Sequence, residues 1–172
     1  DDYNLVRVAM QCRKAGDAAG ALQNLTRALA LNRENDLAHT EMGYALEQQG
    51  DLEGALGHYR EAVRLRPGSI EAQNNIGIVL RKLGRLDEAE VHFRTAITAF
   101  PDQAELYYNL GLVFNARHDA ATEADWYIRA LDVRPGYAEA NNNLGLAYLA
   151  LGRRDDAVAQ FRAALRTRPA FR

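Results

Sequence analysis

Apolar residues in this chain recur at helical spacing, and the pattern then copies itself every 34 residues. Between Ile70 and Gln103, Ile76, Leu80 and Leu83 fall at i, i+4 and i+7, one face of a helix. Gly84 follows as a left-handed C-cap, and Asp87-Glu88 place negative charge at the start of the next helix. Ala89, Phe93, Ala96 and Ile97 then mark one face of a second helix, and Pro101 ends it. Sliding the frame forward gives Leu110-Gly111, Phe114, Tyr127, Ala130 and Pro135, and then Leu144-Gly145, Tyr148, Gly152, Ala157, Phe161, Ala164 and Pro169. Sliding it back gives Met42-Gly43, Leu46, Gly50, Ala55, Tyr59, Ala62 and Pro67. A fainter copy comes first, with Val8-Ala9, Cys12, Gly16, Ala21, Leu25 and Ala28, and Arg33 in place of the proline. The predicted units are 2–35, 36–69, 70–103, 104–137 and 138–171, each a pair of antiparallel helices joined by short turns.

Gly43, Gly77, Gly111 and Gly145 lie inside helices, where glycine costs roughly 0.8–1.0 kcal/mol relative to alanine. A recurrent cost of that kind is tolerated where a bulky side chain presses on bare backbone. Tyr59, Phe93, Tyr127 and Phe161 are the candidates. Cys12 reads as a small buried hydrophobe. The fourth unit departs from the pattern, with His118 at the turn glycine, Ala120 at the usual leucine and Glu123 at the alanine. Keeping Tyr127, Ala130 and Pro135 in register forces Glu123 into the alanine column, where it must find a donor or tilt to solvent. At the far end, Val158, Phe161 and Leu165 are expected to be partly bare.

The period and its columns resemble the tetratricopeptide repeat over roughly residues 2–171. The resemblance implies an all-α fold, a right-handed α-solenoid of five helix-turn-helix repeats forming a single array over 1–172. It also implies a non-catalytic scaffold that binds an extended peptide segment of a protein partner in a concave groove lined by first helices. Asn75, Asn109 and Asn143 recur just before each apolar-Gly pair, with Asn74, Tyr108 and Asn142 beside them and Asn141 ahead of the last pair. Asparagine is a poor helix former, so propensity does not account for the column. It is similar to the asparagine ladder in the repeat domain of O-linked N-acetylglucosamine transferase, where amides hold a peptide backbone. An amide offers both donors and an acceptor, so it can pair with peptide groups whatever their sequence. Tyr44, Ile78, Leu112 and Leu146 follow one turn later as candidate apolar contacts. Core packing is the competing reading of both columns. Arg7 and Glu41 occupy the asparagine column of the first two units, so any ladder covers the last three. The family's carboxylate clamp would need lysine where this chain has Val6, Thr40, Glu41 and Asn74, which argues against a heat-shock co-chaperone.

Composition narrows the remaining classes. The 172 residues are 48% hydrophobic and 26% charged with a net charge of −2, which disfavours nucleic acid as the partner. Arg60, Arg64, Arg94, Arg129, Arg162 and Arg166 recur on second helices, but towards C-termini, while Asp51, Asp87, Asp155 and Asp156 sit at the starts, as helix dipoles favour. No run of apolar residues is long enough to insert in a membrane. The four histidines, His39, His58, His92 and His118, show no helical His-x-x-x-His pair. His58 and His92 share a column and could approach outside the core. No nucleophile or phosphate-loop motif occurs, so neither catalysis, a metal nor a cofactor is expected. A soluble protein is the expectation, with the cytoplasm slightly favoured and the compartment left open; the sequence begins at Asp1 without methionine, which leaves room for an upstream segment. Arginine outnumbers lysine 19 to 2, pointing to a GC-rich bacterial coding source. Two alternatives stand beside the scaffold: the targeting region of a larger glycosyltransferase-like enzyme, and self-association through the uncapped C-terminal repeat.

Overall fold

The computed structural model describes residues 1–167; the Pro169–Arg172 ending read from the sequence lies outside them. Among the described residues there are ten α-helices and no strand. They are α1 (Asp2–Lys14), α2 (Ala18–Leu31), α3 (Asp36–Gln48), α4 (Leu52–Leu65), α5 (Ile70–Lys82), α6 (Leu86–Ala99), α7 (Ala104–Ala116), α8 (Ala120–Val133), α9 (Ala138–Ala150) and α10 (Arg154–Thr167). Successive odd-numbered helices begin 34 residues apart, the period of the sequence columns. The chain divides into two compact units, Asp1–Leu83 and Gly84–Arg172.

The turns inside the repeats share one chemistry. Gly16, Gly50, Gly84 and Gly152 all have φ between 74° and 85°, the left-handed region that glycine enters without steric cost. The residue after the turn then donates back to the helix: Asp17 N–H to Cys12 O at 2.9 Å, and Asp51 N–H to Leu46 O at 3.0 Å. The carboxylates of Asp17, Asp51 and Asp119 next accept from the N–H groups of Gly20, Gly54 and Thr122, capping α2, α4 and α8.

His118 keeps the turn at φ 59° despite carrying a side chain. A left-handed residue with a Cβ costs roughly 1–2 kcal/mol, while glycine gives back about 0.5–1 kcal/mol through its freer unfolded chain. His118→Gly is therefore expected to gain up to about 1 kcal/mol, raising the melting temperature by about 2–4 °C. A lower melting temperature would mean that the imidazole makes contacts worth more than the strain.

In the first unit Val6, Ala9, Ala21, Leu25, Ala28, Ala38 and Met42 form one buried cluster, with half-buried Cys12 packed against it. Leu25 fills the place of the aromatic knob and is itself buried. Beside it, a Cβ added to Gly43 would stand 2.7 Å from the Tyr59 ring, so the glycine exists to admit that ring. The Tyr59 hydroxyl donates to Glu47 Oε2 at 3.0 Å, and Lys82 Nζ holds Glu47 Oε1 at 2.6 Å.

The second unit repeats the device. Added Cβ atoms at Gly111 and Gly145 would stand 2.5 Å and 2.6 Å from the rings of Tyr127 and Phe161. Tyr127, Ala124, Leu144, Ala147, Tyr148 and Ala157 form its buried cluster, with Phe161 half-buried against it. Val158 and Leu165 of α10 are exposed. Glu123 is buried in the alanine column, at 4% exposure. Its Oε2 has no hydrogen-bond partner, and burial raises its pKa despite a hydrogen bond from Asn115. Of the two outcomes open to it, donor or solvent, it has half of the first and none of the second.

Candidate functional site

The first helix of each repeat carries the asparagine and apolar columns, and the structure gives members of one column different surroundings. In the second unit, Tyr108, Asn109 and Leu112 project from α7, and Asn142, Asn143 and Leu146 from α9. Asn142 Nδ2 donates to Asn143 Oδ1 at 3.4 Å, and Asn143 Nδ2 donates to the Tyr108 hydroxyl at 3.1 Å. These three half-buried side chains form a hydrogen-bonded row from α9 to α7. Leu146 stands 52% exposed beside it, while Leu112 and Tyr108 pack partly against the core cluster.

Asn109 differs from its column. It is 7% exposed, so little of its amide can meet a ligand. Asn141 is also buried and donates to Tyr137 O, one turn back in its own chain, at 3.1 Å. Neighbouring asparagines in one helical run thus do different work: a residue step turns the side chain by about 100°, and only some land on the open side.

An aromatic wall stands next to the row. The Tyr108 and Tyr137 ring centroids are 5.1 Å apart, and Tyr108 also meets Tyr127 at 5.7 Å. Arg134 lies over the Tyr137 ring at 4.6 Å and ion-pairs with Glu105. Burial first, then the neighbouring Tyr108, pushes the Tyr137 phenol well above the ordinary tyrosine range. The Tyr137 phenol therefore stays a protonated hydrogen-bonding group at physiological pH. Tyr137 was missed by sequence reasoning, yet a signal existed. The corresponding positions Asn35, Ser69 and Gln103 are polar, and Asn35 and Ser69 cap their helices through side-chain oxygens. Tyr137 cannot do this, and α9 begins without a side-chain cap.

In the first unit the same columns hold Asn74, Asn75 and Ile78 on α5 and Tyr44 on α3, all half-buried. Tyr44 is roofed by Arg13, whose guanidinium carbon lies 4.6 Å from the ring centroid. Arg13 also pairs with buried Glu41 at 3.2 Å. Burial raises the Glu41 pKa more than Arg13 lowers it. Charge and cation–π contact thus replace the amide row on α3.

Several arginines of the second helices are engaged locally. Arg64 pairs with Glu61 and Arg94 with Glu90, while Arg94 and Arg129 both stack on Trp126. No helix among the described residues is long and apolar enough to cross a membrane.

Sequence models of the tetratricopeptide repeat match residues 13–70, 68–135 and 138–171. The chain belongs to the tetratricopeptide-repeat family. The ten helices of the described residues form five such repeats. No curated protein matches the chain. Among solved structures it is similar to MamA, at 25% identity and a TM-score of 0.79 over 98% of this chain and 92% of that one. It is also similar to TTC0263 of Thermus thermophilus, at 24% identity and a TM-score of 0.77 over 99% and 93%. YrrB, described as a TPR protein with an unusual peptide-binding site, matches at 19% identity and a TM-score of 0.71 over 99% and 88%. The likeness to the last two shows the fold alone.

Proposed function

We propose that this tetratricopeptide-repeat protein is a non-catalytic scaffold that captures an extended segment of a protein partner on its first helices. The hydrogen-bonded row Asn142–Asn143–Tyr108 carries this reading, because it sets oriented amide and hydroxyl groups beside exposed Leu146. An extended peptide presents N–H and C=O groups along its length and side chains to alternate sides. The row pairs with the backbone, and Leu146, Leu112 and the Tyr108–Tyr137 wall take an apolar or aromatic side chain. Asn74, Asn75, Ile78 and Tyr44 offer a second set of contacts in the first unit, and Asn109 positions α7 more than it touches the ligand. A partner-binding role also fits the family, and YrrB supplies a relative of the same fold with a peptide site.

The test uses a peptide selected from a displayed random library against the whole chain. Asn143→Ala is expected to weaken that peptide by about 0.5–1.5 kcal/mol, one net hydrogen bond, which is roughly 2- to 12-fold in Kd. Leu146→Ala is expected to weaken it as well, and Val158→Ala on α10 to leave it unchanged. Equal affinity for all three variants and the parent would remove this face from the mechanism.

A further inference from the structure

The second repeat brings two histidines together across its hairpin. His39 of α3 and His58 of α4 face each other with their Nδ1 atoms 2.9 Å apart and ring centroids 5.1 Å apart. His39 Nε2 lies 3.0 Å from the carbonyl oxygen of Arg33. A carbonyl can only accept, so Nε2 carries the hydrogen and the neutral ring keeps its lone pair on Nδ1, the atom turned to His58. Metal-ligating histidines are commonly oriented this way, one nitrogen donating to a backbone carbonyl while the other faces the ion.

The surroundings leave room for an ion and favour a cation. The pair borders an open depression lined by Asp51, Gly54, Gly57 and Glu61. A Cβ added at Gly57 would meet nothing within 4 Å. The carboxylates of Asp51 and Glu61 act electrostatically on His58. Among the described residues no group of three or more His, Cys, Asp or Glu side chains could hold a metal, so a site here has at most two protein ligands.

The hydrogen-bonded separation of the two nitrogens, 2.9 Å, is also one that a right-angled site accepts. Two metal–nitrogen bonds of about 2.0–2.1 Å set at right angles place the nitrogens about 2.9 Å apart, whereas a tetrahedral angle needs about 3.3 Å. Right-angled coordination by nitrogen and oxygen is the preference of Cu(II) and Ni(II). We propose that His39 and His58 form a two-imidazole site for Cu(II) or Ni(II), with water completing the coordination shell. On binding, the hydrogen between the rings moves from His58 Nδ1 to Nε2 by exchange with solvent.

The test is a Cu(II) titration of the whole chain at pH 7.5, followed by electron paramagnetic resonance. The parent protein is expected to bind one ion with a spectrum split by two nitrogen ligands. His39→Ala and His58→Ala should each lose that two-nitrogen signal and bind at least about tenfold more weakly, the lower end of what even a supporting residue contributes. His92→Gln and His118→Gln should leave the signal intact. Circular dichroism verifies folding, and His39→Gln and His58→Gln replace the alanine variants should either fail to fold. A parent spectrum without two nitrogens, or His39 and His58 variants that bind as the parent does, would overturn the site and leave the imidazoles as a hydrogen bond between helices.

Discussion

Replacing Tyr59 by alanine is expected to destabilise the protein by about 3–5 kcal/mol, the range for removing a large aromatic from a packed core. Tyr59 is fully buried, its ring lies against the bare backbone of Gly43, and its hydroxyl reaches the Glu47 carboxylate that Lys82 also holds. The change removes the ring's packing and one donor to a charged acceptor together. Tyr59→Phe isolates the second contribution and should cost about 1.5–3 kcal/mol, the value of a hydrogen bond to a charged group. Burial first, and then the Glu47 charge, raise the phenol's pKa, so the donor persists throughout the working pH range. Gly43→Ala tests the same contact from the other side. A Cβ there overlaps the ring and should destabilise, whereas in a Tyr59→Ala background it should be tolerated, since the methyl enters the vacated space. Urea unfolding midpoints for the four variants measure the coupling. Additive effects would show that the glycine and the ring are not partners.

Glu123 should behave in the opposite sense. Its carboxylate is buried with Oε2 unpartnered, in a column where Ala21, Ala55, Ala89 and Ala157 are buried in the other repeats. Glu123→Ala is expected to raise stability at pH 7 by about 1–3 kcal/mol, the cost of a buried unsatisfied polar group. Glu123→Gln, which removes only the charge, should give part of that gain. The pH dependence follows from the raised pKa. The folded chain holds this proton to higher pH than the unfolded chain does. Stability is therefore fullest below the ordinary glutamate range and falls as pH rises through the raised value. The advantage of Glu123→Gln should accordingly shrink as pH is lowered to about 4, near the ordinary glutamate value. Thermal melts from there up to neutral pH check this, and an advantage that grew on acidification would show that the carboxylate is stabilised in the fold.

The repeat architecture was legible because its determinants are local and recur. The turn glycines, the knob aromatics and the apolar face each return every 34 residues, so a single miscopied position does not hide the column. Even the misfit of the fourth repeat was visible, since Tyr127 and Ala130 fixed the register that buries Glu123. The candidate site was legible only as columns. Asn109 and Asn143 look equivalent in the sequence, but Asn109 is largely buried while Asn143 joins Tyr108 and Asn142 in a half-buried row. Burial depends on which side chains flank each helix, and those vary between repeats. Tyr137 against Tyr108 joins positions of different columns and recurs nowhere else among the described ring contacts, whereas His39 against His58 has a counterpart two periods on in Tyr107 against Trp126, whose ring centroids are 6.4 Å apart. A period cannot announce a contact that occurs once.

The most direct measurement of partner capture is side-chain NMR of the amide and methyl groups during titration with a library-selected peptide. The proposed mode of binding predicts that the Asn142 and Asn143 side-chain amides and the Leu146 methyls shift together at the stoichiometric point, while the Val158 and Leu165 methyls of α10 stay in place. Shifts confined to α8 and α10, with the Asn142 and Asn143 amides unmoved, would contradict it.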